Sequence, residues 1–203
     1  MSIYRAVLSG LLTAGFGAAL ACGPAYAAGE PNATPRWAQP TVVFVCKYGS
    51  VKSLVAAERF NRLAAQKGLS VRAISRAANP ENVHEKVPEL VARQMALEGF
   101  QVANLKPQVL TPEEAAAALR VVHISLQGED DPISAVAKAT SPVPIEVWDD
   151  VPSMLRPSDA GGNPTGAPDL TGRTYHKTRG LLIPHVDALV DELAKKQGGV
   201  AAN

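Results

Sequence analysis

Cys46 ends a run of β-branched and aromatic residues, Thr41-Val42-Val43-Phe44-Val45, and opens the segment Cys46-Lys47-Tyr48-Gly49-Ser50-Val51-Lys52-Ser53. An amphipathic stretch begins directly after it. This order predicts a strand, a tight loop and a helix, with a thiol where the loop opens and an ammonium and a hydroxyl where it closes. Such a loop can turn backbone N–H groups and a helix N-terminus toward one point, which stabilises an anion there and favours a thiolate beside it. Residues Lys47, Tyr48, Gly49, Ser50, Val51 and Lys52 are therefore the candidate oxyanion-binding loop around Cys46. The competing reading is a core cysteine at a strand end and an exposed lysine in a first helical turn.

The elements that must position this loop follow from the apolar periodicity. Ala56, Phe60, Leu63 and Ala64 recur at helical spacing and Gly68 closes that helix. Leu69 to Ile74 reads as a second strand. Val87, Leu90, Val91 and Met95 make another helical stripe, stopped by Gly99, and Thr111-Pro112-Glu113-Glu114 signals the start of a short alanine-rich helix. Strands are expected over Arg120 to Leu126 and Pro144 to Trp148. Val186, Leu189, Val190 and Leu193 give a C-terminal helix with Pro184 in its first turn. Strands alternating with helices predict an α/β fold, a three-layer sandwich on a four-stranded, mainly parallel sheet with its ligand loops at the carboxyl ends of the strands. The domain is expected over residues 41–197.

The N-terminus has the pattern of an export signal. Arg5 supplies a positive charge, Ala6 to Leu20 are mostly apolar or small, and Ala25-Tyr26-Ala27 fits a cleavage site, so residues 1–27 are expected to be a signal peptide. The run is broken by Ser9, Gly10 and Thr13 and is short for a membrane span. A lipoprotein anchor through Cys22 is the minor alternative. Residues 28–40, with Pro31, Pro35 and Pro40, read as an N-terminal extension. The chain has two cysteines, and loss of Cys22 with the signal leaves Cys46 alone in an oxidising, periplasmic or extracellular compartment, with no intrachain disulfide. Loss of Arg5 takes the formal net charge from +1 to near zero, which argues against nucleic acid or an anionic membrane surface as partner. About 175 residues then remain, enough for one domain with a sizeable core.

The strand followed by Cys46-x5-Lys52-Ser53 and Leu54-Val55-Ala56-Ala57-Glu58 resembles the opening of the low molecular weight protein tyrosine phosphatases and of the thioredoxin-coupled arsenate reductases, which carry Cys-x5-Arg-Ser there. The likeness continues at Ala77, Met95-Ala96-Leu97-Glu98-Gly99, Lys106-Pro107-Gln108-Val109-Leu110-Thr111 and Trp148-Asp149-Asp150-Val151-Pro152, and spans most of residues 41–196. It implies a hydrolase in which Cys46 is the nucleophile, Ser53 donates a hydrogen bond to its thiolate, and the loop holds a phosphate-like oxyanion or phosphorylated ligand. No cofactor or metal is implied. Arsenate reduction additionally needs a resolving thiol, which this chain lacks once Cys22 is removed.

Two departures bear on turnover. Lys52 stands where the resemblance implies arginine; a lysine offers one compact charge where arginine's fork holds two oxygens, and losing one well-placed transition-state donor costs about 2.7 to 4 kcal/mol. Tyr48 and Gly49 also stand where phosphatases usually have glycine and asparagine. The general acid implied by the resemblance is an aspartate before a proline. Asp150, then Asp149, are the candidates, with Asp130-Asp131-Pro132 as a second choice, and ordinary turn residues as the competing reading. Residues 153–172 are rich in glycine and proline and read as a lid or as an insertion. His84, His123, His176 and His185 have no metal-ligand spacing. The functional expectation is a weak thiol-dependent phosphomonoesterase. The alternatives are a non-catalytic oxyanion- or partner-binding relative and, since export exposes a lone thiol to oxidation, a redox role.

Overall fold

Every residue of β1 (Thr41–Cys46) is buried. Its β-branched and aromatic side chains suit a central strand covered on both faces, as parallel strands are. The computed structural model describes residues 39–126, 145–155 and 172–200, with Gly199 and Val200 as backbone only. The expected signal peptide, nearly all of the expected extension, Asp130-Asp131-Pro132 and residues 156–171 lie outside the described residues.

From β1 the chain runs through α1 (Lys52–Gln66), β2 (Arg72–Ala77), a 3-10 turn at Pro80–Asn82, α2 (Glu89–Leu97), α3 (Pro112–Ala117), β3 (Arg120–Ile124), β4 (Ile145–Trp148) and α4 (Arg173–Val200). The sheet order is β2-β1-β3-β4 and all three pairings are parallel, with Cys46 opposite Ala77 and Val43 opposite both Ile74 and Val121. Alternate residues of β1 divide the core. Val42, Phe44 and Cys46 face a cluster with Phe60 of α1, Val91 and Met95 of α2, and Tyr175, Leu182 and Val186 of α4. Val43 and Val45 face a smaller cluster with Ala115 of α3, Leu110 and Val121. Phe44 anchors the larger side, its ring 5.9 Å from Phe60 and 5.6 Å from Trp148. Helices thus cover both faces in three layers.

The connection from β1 leaves through α1 on one face, and β3 is reached by way of α3 on the other. The strand order therefore reverses between β1 and β3, the point at whose carboxyl edge open α/β sheets bind ligands. Cys46 lies on that edge.

Local signals placed several boundaries well. Thr111 and Glu114 form a reciprocal capping box at the start of α3, and glycines with positive φ follow α1 at Gly68 and α2 at Gly99. Three boundaries differ from expectation. The second strand is Arg72–Ala77 rather than Leu69 to Ile74, because the Leu69 N–H is taken by the Ala64 carbonyl at the end of α1. As an edge strand, β2 tolerates Arg72, Ser75 and Arg76, whose polarity hid it. β3 ends at Ile124; Ser125 instead exchanges backbone hydrogen bonds with Trp148 and Val151, and Leu126 bridges to Asp150. Finally, α4 begins at Arg173, so Pro184 lies inside the helix and not in its first turn. The apolar stripe that holds it, Tyr175, Leu182, Val186, Leu189 and Leu193, starts before the proline and outweighs the one backbone hydrogen bond proline removes. Met154 and Leu155, at the head of the glycine- and proline-rich segment, are buried in the core rather than looped out.

Candidate active site

The loop that follows β1 is pressed against the end of β2. Gly49 has φ +69°, and a Cβ there would stand 2.6 Å from the Ala77 nitrogen, so no other residue fits without displacing the backbone. The Cys46 carbonyl accepts from the Ala78 N–H at 3.0 Å, which closes the loop onto the same neighbour. The helix that begins at Lys52 has Val51 as its N-cap, which makes no side-chain cap, and no acidic residue in its first turn. The positive end of its dipole is therefore uncompensated by side chains of α1.

Cys46 is 1% exposed. Its Sγ lies 3.0 Å from Ser53 Oγ, which in turn lies 2.8 Å from Ser75 Oγ of β2. Ser75 donates to the Gly49 carbonyl at 2.8 Å, so a line of hydroxyls runs from the thiol back to the loop that surrounds it. Lys52 is buried, and its Nζ donates to the Val151 carbonyl at 2.9 Å. That bond ties the start of α1 to the segment after β4, 99 residues further on.

The remaining loop side chains meet His84. Ser50 is fully buried with its Oγ 2.6 Å from His84 Nδ1, and the Tyr48 ring stacks on the imidazole with centroids 4.5 Å apart. Burial holds the His84 pKa below its ordinary value, since the charged ring loses solvation there. In the neutral ring Nδ1 either accepts the Ser50 proton or donates its own to Ser50 Oγ, according to the tautomer. Lys47 Nζ lies 5.8 Å from the Tyr48 ring centroid.

The acid candidates are placed differently. Asp149 is exposed. The Asp150 carboxylate is held by His185 Nε2 of α4, at 2.9 and 3.0 Å, and His185 stacks on Trp148 with centroids 4.9 Å apart. The structure thus joins Cys46, Ser53 and the Gly49 carbonyl, sets Lys52 on Val151 and sets Asp150 on His185. Ser75, His84 and His185 were not expected as contributors. Ser75 carried no readable signal, since the expected strand ended at Ile74 and it is the register of β2 with β1 that brings this serine beside the loop. His84 and His185 carried none. Among the described residues no group of three or more His, Cys, Asp or Glu side chains is arranged to hold a metal.

No family profile matches the sequence, and no curated protein matches it. Solved structures do. The chain is similar to a low molecular weight protein tyrosine phosphatase from Bacillus subtilis, with a TM-score of 0.57 at 20% identity, over 77% of this chain and 99% of that one. The fold is that of the low molecular weight protein tyrosine phosphatases. A second such phosphatase, from Vibrio cholerae, gives a TM-score of 0.57 at 14% identity over 77% of this chain and 98% of its own. The thioredoxin-dependent arsenate reductase of Corynebacterium glutamicum gives 0.51 at 14%, over 78% of this chain and 63% of that one. Identities of this size carry the phosphatase-like fold, and the activity has to be argued from the site.

Proposed function

We propose that this phosphatase-like chain is an exported, thiol-dependent phosphomonoester hydrolase of low turnover, acting on phosphotyrosine-type esters. The observation that carries this reading is Cys46 Sγ at 3.0 Å from Ser53 Oγ, at the carboxyl end of β1 where the strand order reverses. In the proposed reaction the Cys46 thiolate attacks phosphorus, an S–P bond forms and the ester P–O bond breaks. Asp150, or Asp149 in its place, gives its proton to the departing oxygen. The resulting carboxylate then takes a proton from water, whose oxygen attacks phosphorus and releases the thiolate and phosphate. Backbone N–H groups of Lys47 to Lys52 and the uncapped start of α1 are the proposed oxyanion donors.

Low turnover follows from two placements. The Lys52 ammonium is engaged by the Val151 carbonyl, and the Asp150 carboxylate is engaged by His185, a contact that has to break before the carboxyl can serve a leaving group. Export rests on the pattern of residues 1–27. Arsenate reduction has less support, since no second thiol follows residue 27.

The Lys52 placement favours a second reading, a non-catalytic oxyanion-binding protein. Hydrolysis of para-nitrophenyl phosphate separates the two. The hydrolase reading expects slow turnover that Cys46→Ala abolishes and that Lys52→Arg raises about tenfold or more. No turnover in either wild type or Lys52→Arg, together with a rise in melting temperature on adding phosphate or vanadate, would favour binding alone. No thermal shift with either anion would remove both.

A further inference from the structure

Gly49 gives the loop after β1 no side chain near its centre, and glycine loses more conformational freedom on folding than any other residue. The loop has to be braced from outside. Three consecutive residues are held in this way: the His84 N–H donates to the Tyr48 carbonyl at 3.4 Å, Ser75 donates to the Gly49 carbonyl at 2.8 Å, and Ser50 Oγ lies 2.6 Å from His84 Nδ1. His84 supplies two of these contacts, from the connection between β2 and α2, and the stack of its ring on Tyr48 adds another.

The braces fix a direction. In a trans peptide the carbonyl and the following N–H point to opposite sides. With the Tyr48 carbonyl turned to His84 and the Gly49 carbonyl turned to Ser75, the N–H groups of Gly49 and Ser50 are turned away from those neighbours. Flipping either peptide would present an oxygen where a bound oxyanion needs a donor. The imidazole holds this arrangement without adding a charge, because burial keeps its pKa below the ordinary value and the ring is largely neutral at neutral pH. Ser50 is fully buried, so a hydroxyl that lost Nδ1 would be cut off from bulk water and would pull the loop toward another partner.

We infer that His84 is a positioning residue for the loop, holding Tyr48 and Ser50 so that the Gly49 and Ser50 N–H groups face a bound anion, a role that rests on the reading of this loop as an oxyanion site.

Alkylation of Cys46 in the full chain tests this without turnover, with iodoacetate as the anionic probe and iodoacetamide as the neutral one, followed by peptide mass spectrometry to separate Cys46 from Cys22. In both reactions sulfur attacks carbon, an S–C bond forms, iodide leaves and the thiol proton passes to buffer. The ratio of the two rates cancels the reactivity of the thiol and reads the donors that meet the carboxylate. Wild type is expected to prefer iodoacetate when its ratio is set against that of glutathione. His84→Phe keeps a ring on Tyr48 but has no Nδ1, and should lower the ratio about fivefold, the worth of one hydrogen bond. Ser50→Ala removes the other partner of the same bond and should lower it as much, with the double variant no lower. His84→Asn carries a polar atom at the same distance along its side chain as Nδ1 and should restore the wild-type ratio. A preference that persists in either His84→Phe or Ser50→Ala, or that His84→Asn loses as fully as His84→Phe does, would overturn the inference and leave the oxyanion reading standing. No preference in wild type would overturn both. If His84→Phe does not fold, Ser50→Ala and His84→Asn decide the matter between them.

Discussion

The two edges of the same sheet are held together in opposite ways. At the carboxyl edge, around Cys46, the contacts are buried, largely neutral and short: thiol to serine, serine to serine, serine to carbonyl. At the amino edge, Arg120 at the start of β3 is paired with Glu146 of β4 and Glu192 of α4, and Glu192 also binds Lys196, all partly or fully in solvent. Exposed ion pairs are screened by salt and tolerate small displacements. A buried hydroxyl line is neither screened nor tolerant, because each group has a fixed number of protons and nowhere else to send them. The amino edge is a fastening, whereas the carboxyl edge is organised around one atom.

The sharpest way to break this contrast is at Gly49. Gly49→Ala combines a positive φ with a clash against the Ala77 backbone, and a loss of about 1–3 kcal/mol is expected in denaturant unfolding. A loss within experimental error would mean that the carboxyl edge yields as readily as the amino edge. Arg120→Ala, which removes both pairs of the amino edge at once, should cost about 1 kcal/mol at low salt and less as salt is raised. A salt-independent loss would make that edge a packed one.

Two pH effects sharpen the comparison further. Hydrogen bonds from Arg120 and Lys196 lower the Glu192 pKa to about 2 from 4.5. A depressed carboxylate contributes stability that is present above the unfolded value and lost as pH falls from about 4.5 toward 2. Because Glu192 is largely exposed, the difference between wild type and Glu192→Gln should be under about 1 kcal/mol at neutral pH and should vanish toward pH 2. At the other edge, burial lowers the His84 pKa from 6.5. For a base this means that the unfolded chain takes up the proton first, so stability is lost as pH falls through about 6.5 and below. His84→Phe, which keeps a ring against Tyr48, should lose less stability than wild type between neutral and mildly acidic pH. Equal losses would show that the imidazole does not sense the acid.

Much of this fold was legible because its signals are local. The continuous apolar run of β1 reads as a strand, Thr111 and Glu114 make a helix start within four residues, and Gly68 and Gly99 follow their helices about one turn after the last buried apolar residue. The misplaced boundaries are those where a distant partner overrode the local pattern. β2 took its limits from its register with β1, and α4 extended past Pro184 because its buried stripe began at Tyr175. In the site, Cys46 was legible from the strand and loop that carry it, and its contact with Ser53 from the resemblance that spacing supports. Ser75 was not, since nothing in Ala73-Ile74-Ser75 says that its hydroxyl will face a residue 22 positions earlier.

The order of residues determined by itself that a thiol closes an apolar strand, that a glycine-containing loop follows and that an amphipathic helix comes next, because backbone sterics and apolar periodicity act over a few residues. Only the tertiary structure decided what the functional groups face. Lys52 meets Val151 across 99 residues, Asp150 meets His185 across 35, and Ser53 meets Ser75 across 22. Those pairings are set by strand order, register and the packing of α4, and no short stretch of chain contains the information, since a hydrogen bond is decided by ångströms of placement between elements that pack independently of their polar tips.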